Sequence, residues 1–225
     1  DRFLVENDRF STSYRIAQFI LKFLSAGSDM TMSFGPVTDV FGNTVDSAGT
    51  SYDYSGRPVD IQRYFMSGGK ITEDKQRDNE YTRMLGEHVV RSFHTHNTVL
   101  SSHLLAFTAF QIIYRRHENL DLFGVLRLPA DELFIDKADF LENIALLKQR
   151  LIELHGMGKV LLSPEIMQKP EDIVSHGMKH LGLFHPKRVL FLEKDQYSTD
   201  DAKLLYYYHN RLVGYDLDKF IAVNG

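Results

Sequence analysis

One stretch limits what this chain can become. Between Ser101 and Ile113, the residues Leu104, Leu105, Phe107, Ala109, Phe110, Ile112 and Ile113 leave almost no polar face at helical spacing. A helix apolar nearly all round must be covered on every side, so the pattern predicts a central core helix. Ser101 or Ser102 can open it. Arg115, Arg116 and His117 at its end suit the negative end of a helix dipole.

The rest of the chain has to supply the cover. Ile16, Phe19, Ile20, Phe23 and Leu24 predict an amphipathic helix over about 10–24, with Gly27 just past its end. Met30 to Pro36 alternates and stops at Gly-Pro, which reads as a short strand. Residues 35–57, with Gly35, Gly42, Gly49 and Gly56 among Asp, Asn, Ser and Thr, read as an exposed loop or ragged hairpin. The even spacing of those glycines is not taken as a repeat. From Ile71 the pattern turns helical, with Leu85, His88, Val89 and Ser92 on one face, until Asn97-Thr98 breaks it. Pro129-Ala130-Asp131 introduces a short helical stretch. A long helix follows over about 137–155, with Phe140, Ile144, Leu147, Leu151 and Leu154 inward and Gly156 at its end. Pro170 opens a further helix through His180, with Ile173, Val174 and Met178 inward. Arg188 to Leu192 reads as a strand. Leu204 to Arg211 reads as either strand or helix, with Asp200-Asp201 suiting a helix start. The fold class is α+β and mainly helical.

Composition excludes more than it proposes. Net charge is −4, which argues against a dedicated nucleic-acid binder. There is no cysteine, so disulfides, thiolate zinc sites and cysteine nucleophiles are ruled out. No apolar run approaches the ~20 residues that span a bilayer, and the N-terminus lacks signal-peptide order.

The chemical motifs are sparse. His94, His96 and His103 invite a metal reading, but no acidic partner stands at ligand spacing, and polar or capping histidines are the better account. No Gly-x-Ser-x-Gly elbow occurs, and Gly68-Gly69-Lys70 meets neither phosphate-loop spacing. The order helix, helix, turn, strand over 136–192 is that of a winged-helix module, with 173–180 in the recognition position. Only Lys179 and His180 make that helix basic, so a structural use is favoured over DNA. Arg2, Arg9, Arg15 and Lys22 beside Phe3, Phe10, Phe19 and Phe23 suit a membrane-surface face, though docking on a neighbouring domain is preferred. No residue is assigned a catalytic, cofactor-binding or metal-binding role.

Three segments carry a family resemblance. They are Met32-Ser33-Phe34-Gly35-Pro36 with Arg57 to Phe65; Leu85 to Phe93 leading into Asn97-Thr98-Val99 and Leu104-Leu105-Ala106; and Leu205 to Leu212. In that order they resemble the late part of the membrane-bound glycerol-3-phosphate acyltransferases. The first pair is split by an insertion over about 37–56, and the Glu the family has between Gly and Pro is missing.

The resemblance implies that residues 1–66 end an α/β acyltransferase domain (last helix and strand). Residues 67–225 would then form a helical C-terminal accessory domain with a few late strands. It further implies a parent protein of phospholipid biosynthesis on the cytoplasmic side of a membrane, held peripherally. Its partners would be the parent catalytic domain, acyl-CoA or acyl carrier protein as donor, and the membrane surface, with no nucleic acid. The family's His–four residues–Asp motif is absent here; His117 and Asp121 come nearest and are one residue short. The fragment alone is therefore expected to be inactive, with no cofactor. The alternative is a non-enzymatic interaction or regulatory module with a winged-helix-like end.

Overall fold

A computed structural model describes residues 31–222, together with residues 13–14, 16–17 and 20–21. Those six early residues are helical, and the remainder of the helix expected over 10–24, with Arg2, Arg9, Arg15 and Lys22, lies outside the described residues. The fold is mainly helical α+β. It divides into two compact units, one of residues 32–98 with 154–161, the other of 99–153 with 162–222 and the N-terminal residues.

In the first unit the expected strand at Met30 to Pro36 is not formed over the described residues 31–36. The segment is fixed instead by side chains: Ser33 Oγ lies 2.8 Å from Thr98 Oγ1. Gly35 lies so close to the His96 ring that a Cβ would meet it at 3.0 Å. The stretch read as an exposed loop or ragged hairpin is an antiparallel meander of three two-residue strands: β1 (Thr44–Val45), β2 (Ser51–Tyr52) and β3 (Pro58–Val59).

The spacing of its glycines does carry a motif, Asp-x-x-Gly, repeated every seven residues at Asp39, Asp46 and Asp53. Each Asp Oδ1 accepts two amides, those of Phe41 and Asn43, of Ala48 and Thr50, and of Ser55 and Arg57. The Gly three residues on takes a positive φ of 83°, 82° or 74° and donates back to the Asp carbonyl. These are Asx turns, in which an Asp or Asn side chain accepts the amide two residues on, and here each is followed by a glycine in the left-handed conformation that it adopts without strain.

After a 3₁₀ turn over Ile61–Phe65 capped by Asp60, the hairpin β4 (Met66–Ser67) and β5 (Lys70–Ile71) leads into α1 (Lys75–His96). The helix therefore starts four residues later than the sequence suggests, because Asp74 accepts from the amides of Gln76 and Arg77. The unit is held by aromatic stacking. Phe41 lies 4.3 Å from Tyr64 and 5.2 Å from Tyr81, centroid to centroid. No residue of α1 is fully buried.

The second unit is built round α2 (Ser101–Arg116), in which eleven residues are buried. Leu100 rather than a serine is its cap, with His103 Nδ1 accepting the Leu100 amide at 3.3 Å. After the short helix α3 (Leu122–Val125), the strand β6 (Phe134–Asp136) precedes α4 (Lys137–Gly156), whose expected stripe of Phe140, Ile144, Leu147, Leu151 and Leu154 is buried. Helix α5 (Pro170–His180) lies so close to α2 that a Cβ on Gly177 would sit 2.7 Å from Leu105 Cδ2.

Strand β7 (Phe191–Glu193) is shorter than expected and offset by three residues, and it turns into β8 (Gln196–Ser198). The antiparallel sheet has the order β6–β8–β7, with Tyr197 opposite both Ile135 and Leu192. The ambiguous segment is helix α6 (Ala202–His209), capped by Asp201. Its Tyr206 and His209 rings lie 4.9 and 4.7 Å from Phe110.

Hydrogen bonds, chiefly from the Thr50 and Arg57 amides, hold the Asp46 and Asp53 carboxyls below their ordinary 3.8. A lowered folded pKa gives stability that is present above the unfolded value and lost as pH falls through the folded one. Protection of the Ala48, Thr50, Ser55 and Arg57 amides, relative to their intrinsic exchange rates, should thus hold from pH 7 to about 4 and fall below it. Asp46→Ala should free only the Ala48 and Thr50 amides.

Candidate functional site

At the N-terminal end of α2 the second unit opens a cleft of about 580 Å³. Three segments bring its polar groups together. Ser101 is the first residue of α2. Ser163 and Glu165 stand on the chain beside it, held there because the Ser163 amide donates to the Val99 carbonyl at 3.0 Å. His176 and His180 project from one face of α5, four residues apart.

Ser101 Oγ lies 2.8 Å from His176 Nδ1, and His176 Nε2 lies 4.0 Å from Glu165 Oε1. The His180 ring packs on that of His176 with centroids 4.3 Å apart, and its Nδ1 donates to the His176 carbonyl at 2.8 Å. Ser163 is buried, and its hydroxyl is the main influence holding the Glu165 carboxyl below its usual range, ahead of the opposing effect of burial. The remaining wall is largely apolar, with Leu100, Leu183, Phe184 and Tyr208, and among the described residues no Lys or Arg lines it.

A smaller hollow of about 320 Å³ is aromatic, bounded by Phe107, Phe110, Tyr114 and Tyr206 and floored by Gln111 and His209. Gln111 Nε2, which can only donate, lies 2.8 Å from His209 Nε2, so that nitrogen accepts and the ring is neutral. Burial lowers the pKa of His209 to about 4, and burial with the nearby Arg211 charge does the same for His103.

The residues that invited functional readings are placed elsewhere. His96 Nδ1 bonds the Ser92 carbonyl at 2.8 Å within α1, while His103 caps α2. Among the described residues no three His, Asp or Glu side chains cluster as metal ligands. His117 meets the Ile113 carbonyl and Glu132, and Asp121 is spent on the Gly124 amide at 2.7 Å, so the two form no dyad.

The Ser101–His176 pair is absent from the motifs weighed in the sequence because its members are 75 residues apart. The one available signal was His176 and His180 at i, i+4. Comparison with family models, curated proteins and solved structures finds no match. Among the described residues no helix is long and apolar enough to cross a membrane.

Because His103 and His209 are neutral when folded and ordinary when unfolded, their contribution to stability is full above about pH 6.5. It falls as pH drops toward about 4. Thermal melts should show Tm declining across that window, and His209→Gln should flatten part of the decline.

Proposed function

We propose that the chain is the C-terminal region of a glycerol-3-phosphate acyltransferase, bracing the parent's catalytic domain. The reading is carried by the fixed order of three motifs along the sequence, each of which has a distinct structural task. Asp60 caps the turn in which Tyr64 and Phe65 pack on Phe41. Leu85 to Phe93 lie in α1, which ends at Asn97 before the apolar α2 begins. Leu205 to Leu212 form the end of α6 and the turn after it, with Leu205, His209 and Leu212 buried.

Helix α1 leaves Val89, Val90 and Phe93 each more than half exposed. Apolar surface of that kind marks an interaction face, and it is offered here to the catalytic domain. The purified chain, given acyl-CoA or acyl-carrier-protein donors, is expected to transfer no acyl group to glycerol 3-phosphate. Turnover above the no-protein control would overturn the reading.

A second reading has one observation in its favour. Strand, two helices and a hairpin, with sheet order β6–β8–β7, follow the winged-helix topology. In the recognition position, α5 turns Glu171, Asp172, Ser175 and Lys179 outward, two carboxylates against one ammonium. Such a face repels a phosphate backbone, so as an interaction module it would dock protein. Duplex DNA should show no mobility shift with this chain even at low salt; a salt-dependent shift would count for a nucleic-acid role.

A further inference from the structure

The cleft at the start of α2 holds a hydroxyl, an imidazole and a carboxylate in sequence. With Ser101 Oγ 2.8 Å from one nitrogen of His176 and Glu165 4.0 Å from the other, both sides of the ring are engaged. That order activates a serine: the imidazole takes the hydroxyl proton, and the carboxylate steadies the imidazolium that results. Here Nδ1 faces the serine, and either imidazole nitrogen can serve as the acceptor. Acid–imidazole distances are commonly loose before substrate binds. Ser101 also begins a sixteen-residue helix. The positive end of its dipole favours negative charge beside Ser101.

Ser163 lines the same cleft, and its hydroxyl, closed off from solvent, favours the charged form of Glu165. The chemistry of the walls narrows the substrate. With no Lys or Arg among its described lining residues, and with Glu165 present, the described wall of the cleft does not suit a phosphate. Leu100, Leu183 and Phe184 suit a short hydrocarbon chain.

We propose that Ser101, His176 and Glu165 form a serine site that hydrolyses carboxylic esters of short acyl chains. Ser101 Oγ forms a bond to the carbonyl carbon as its proton passes to His176 Nδ1. The ester C–O bond then breaks, and the leaving alcohol takes that proton. Water attacks the resulting acyl-serine and gives a proton to His176. The carboxylic acid departs as the Ser101 hydroxyl is restored, so water is the sole co-reactant. Ser101 and His176 are the catalytic residues, and Glu165 is a positioning residue. The proposal goes beyond the acyltransferase reading and does not rest on it.

The test uses the whole chain. A fluorophosphonate should modify Ser101, mapped by peptide mass spectrometry, and p-nitrophenyl acetate and butyrate should be turned over. His176→Gln should slow both by about a hundredfold or more, with circular dichroism unchanged. Because the chain has no cysteine, Ser101→Cys introduces its single thiol. If His176 activates that position, iodoacetamide should alkylate it at pH 6.5 faster than it alkylates glutathione. Glu165→Gln should remove part of that advantage and shift its pH profile. Failure of the fluorophosphonate to label Ser101, or a thiol no faster than glutathione, overturns the proposal. Neither readout involves glycerol 3-phosphate, so the two readings fail separately.

Discussion

A helix with no face to give to water dictates its surroundings. Eleven of the sixteen residues of α2 are buried. At roughly 1.5–3 kcal/mol per large apolar side chain, leaving even a few of them wet would exceed the margin by which a domain of this size is stable. The neighbouring elements each answer that requirement in their own way. Helix α5 approaches closely because Gly177 has no side chain to hold it off. Helix α6 stacks aromatic rings along the far side, His209 lying parallel to Phe107 at 4.8 Å. The last described segment is strapped down by polar bonds: Asn143, on α4, brackets Ala222 with bonds of 2.8 Å to its carbonyl and amide.

Burying so much chain obliges the polar groups within it to find partners, and they largely do. Thr108 bonds the Leu104 carbonyl one turn back, and Arg116 at the C-terminal end bonds the Phe134 carbonyl. The two ends of α2 differ in consequence. Its C-terminal end is occupied by arginines reaching neighbouring carbonyls, Arg115 to Ile221 and Arg116 to Phe134. Its N-terminal end faces a cleft containing hydroxyls, imidazoles and one carboxylate.

The long helices α4 and α5 were legible because each has a strong periodic stripe and a recognisable boundary, whereas the short α3 was not read and α6 was left between strand and helix. Phe140 through Leu154 and the Pro170 start show this, as does the Asn97 break. Short strands were not legible, for a physical reason. Strands of two or three residues carry too little alternation to register, and β6 exists because β8 is there to pair with it, 60 residues later. The strand expected near Phe34 failed in the opposite way, its alternation having no partner to pair with. The site was invisible for a related reason. Ser101 read as a cap and His176 as one polar residue on an amphipathic helix, and only the approach of α5 to α2 joins them. The Asp-x-x-Gly turns could have been read, since Asp39, Asp46 and Asp53 keep step with their glycines.

Those turns have a consequence for how the segment tolerates change in length. Each is closed within five residues by its own carboxylate. Seven residues carry the chain through one turn and one crossing, and every crossing reverses its direction, so only pairs of sevens could be spliced in or out with the flanking chain entering and leaving as it does now. An insertion of any other size would shift pleat and partner alike. The meander is in this sense a graduated spacer, adjustable only in fixed steps.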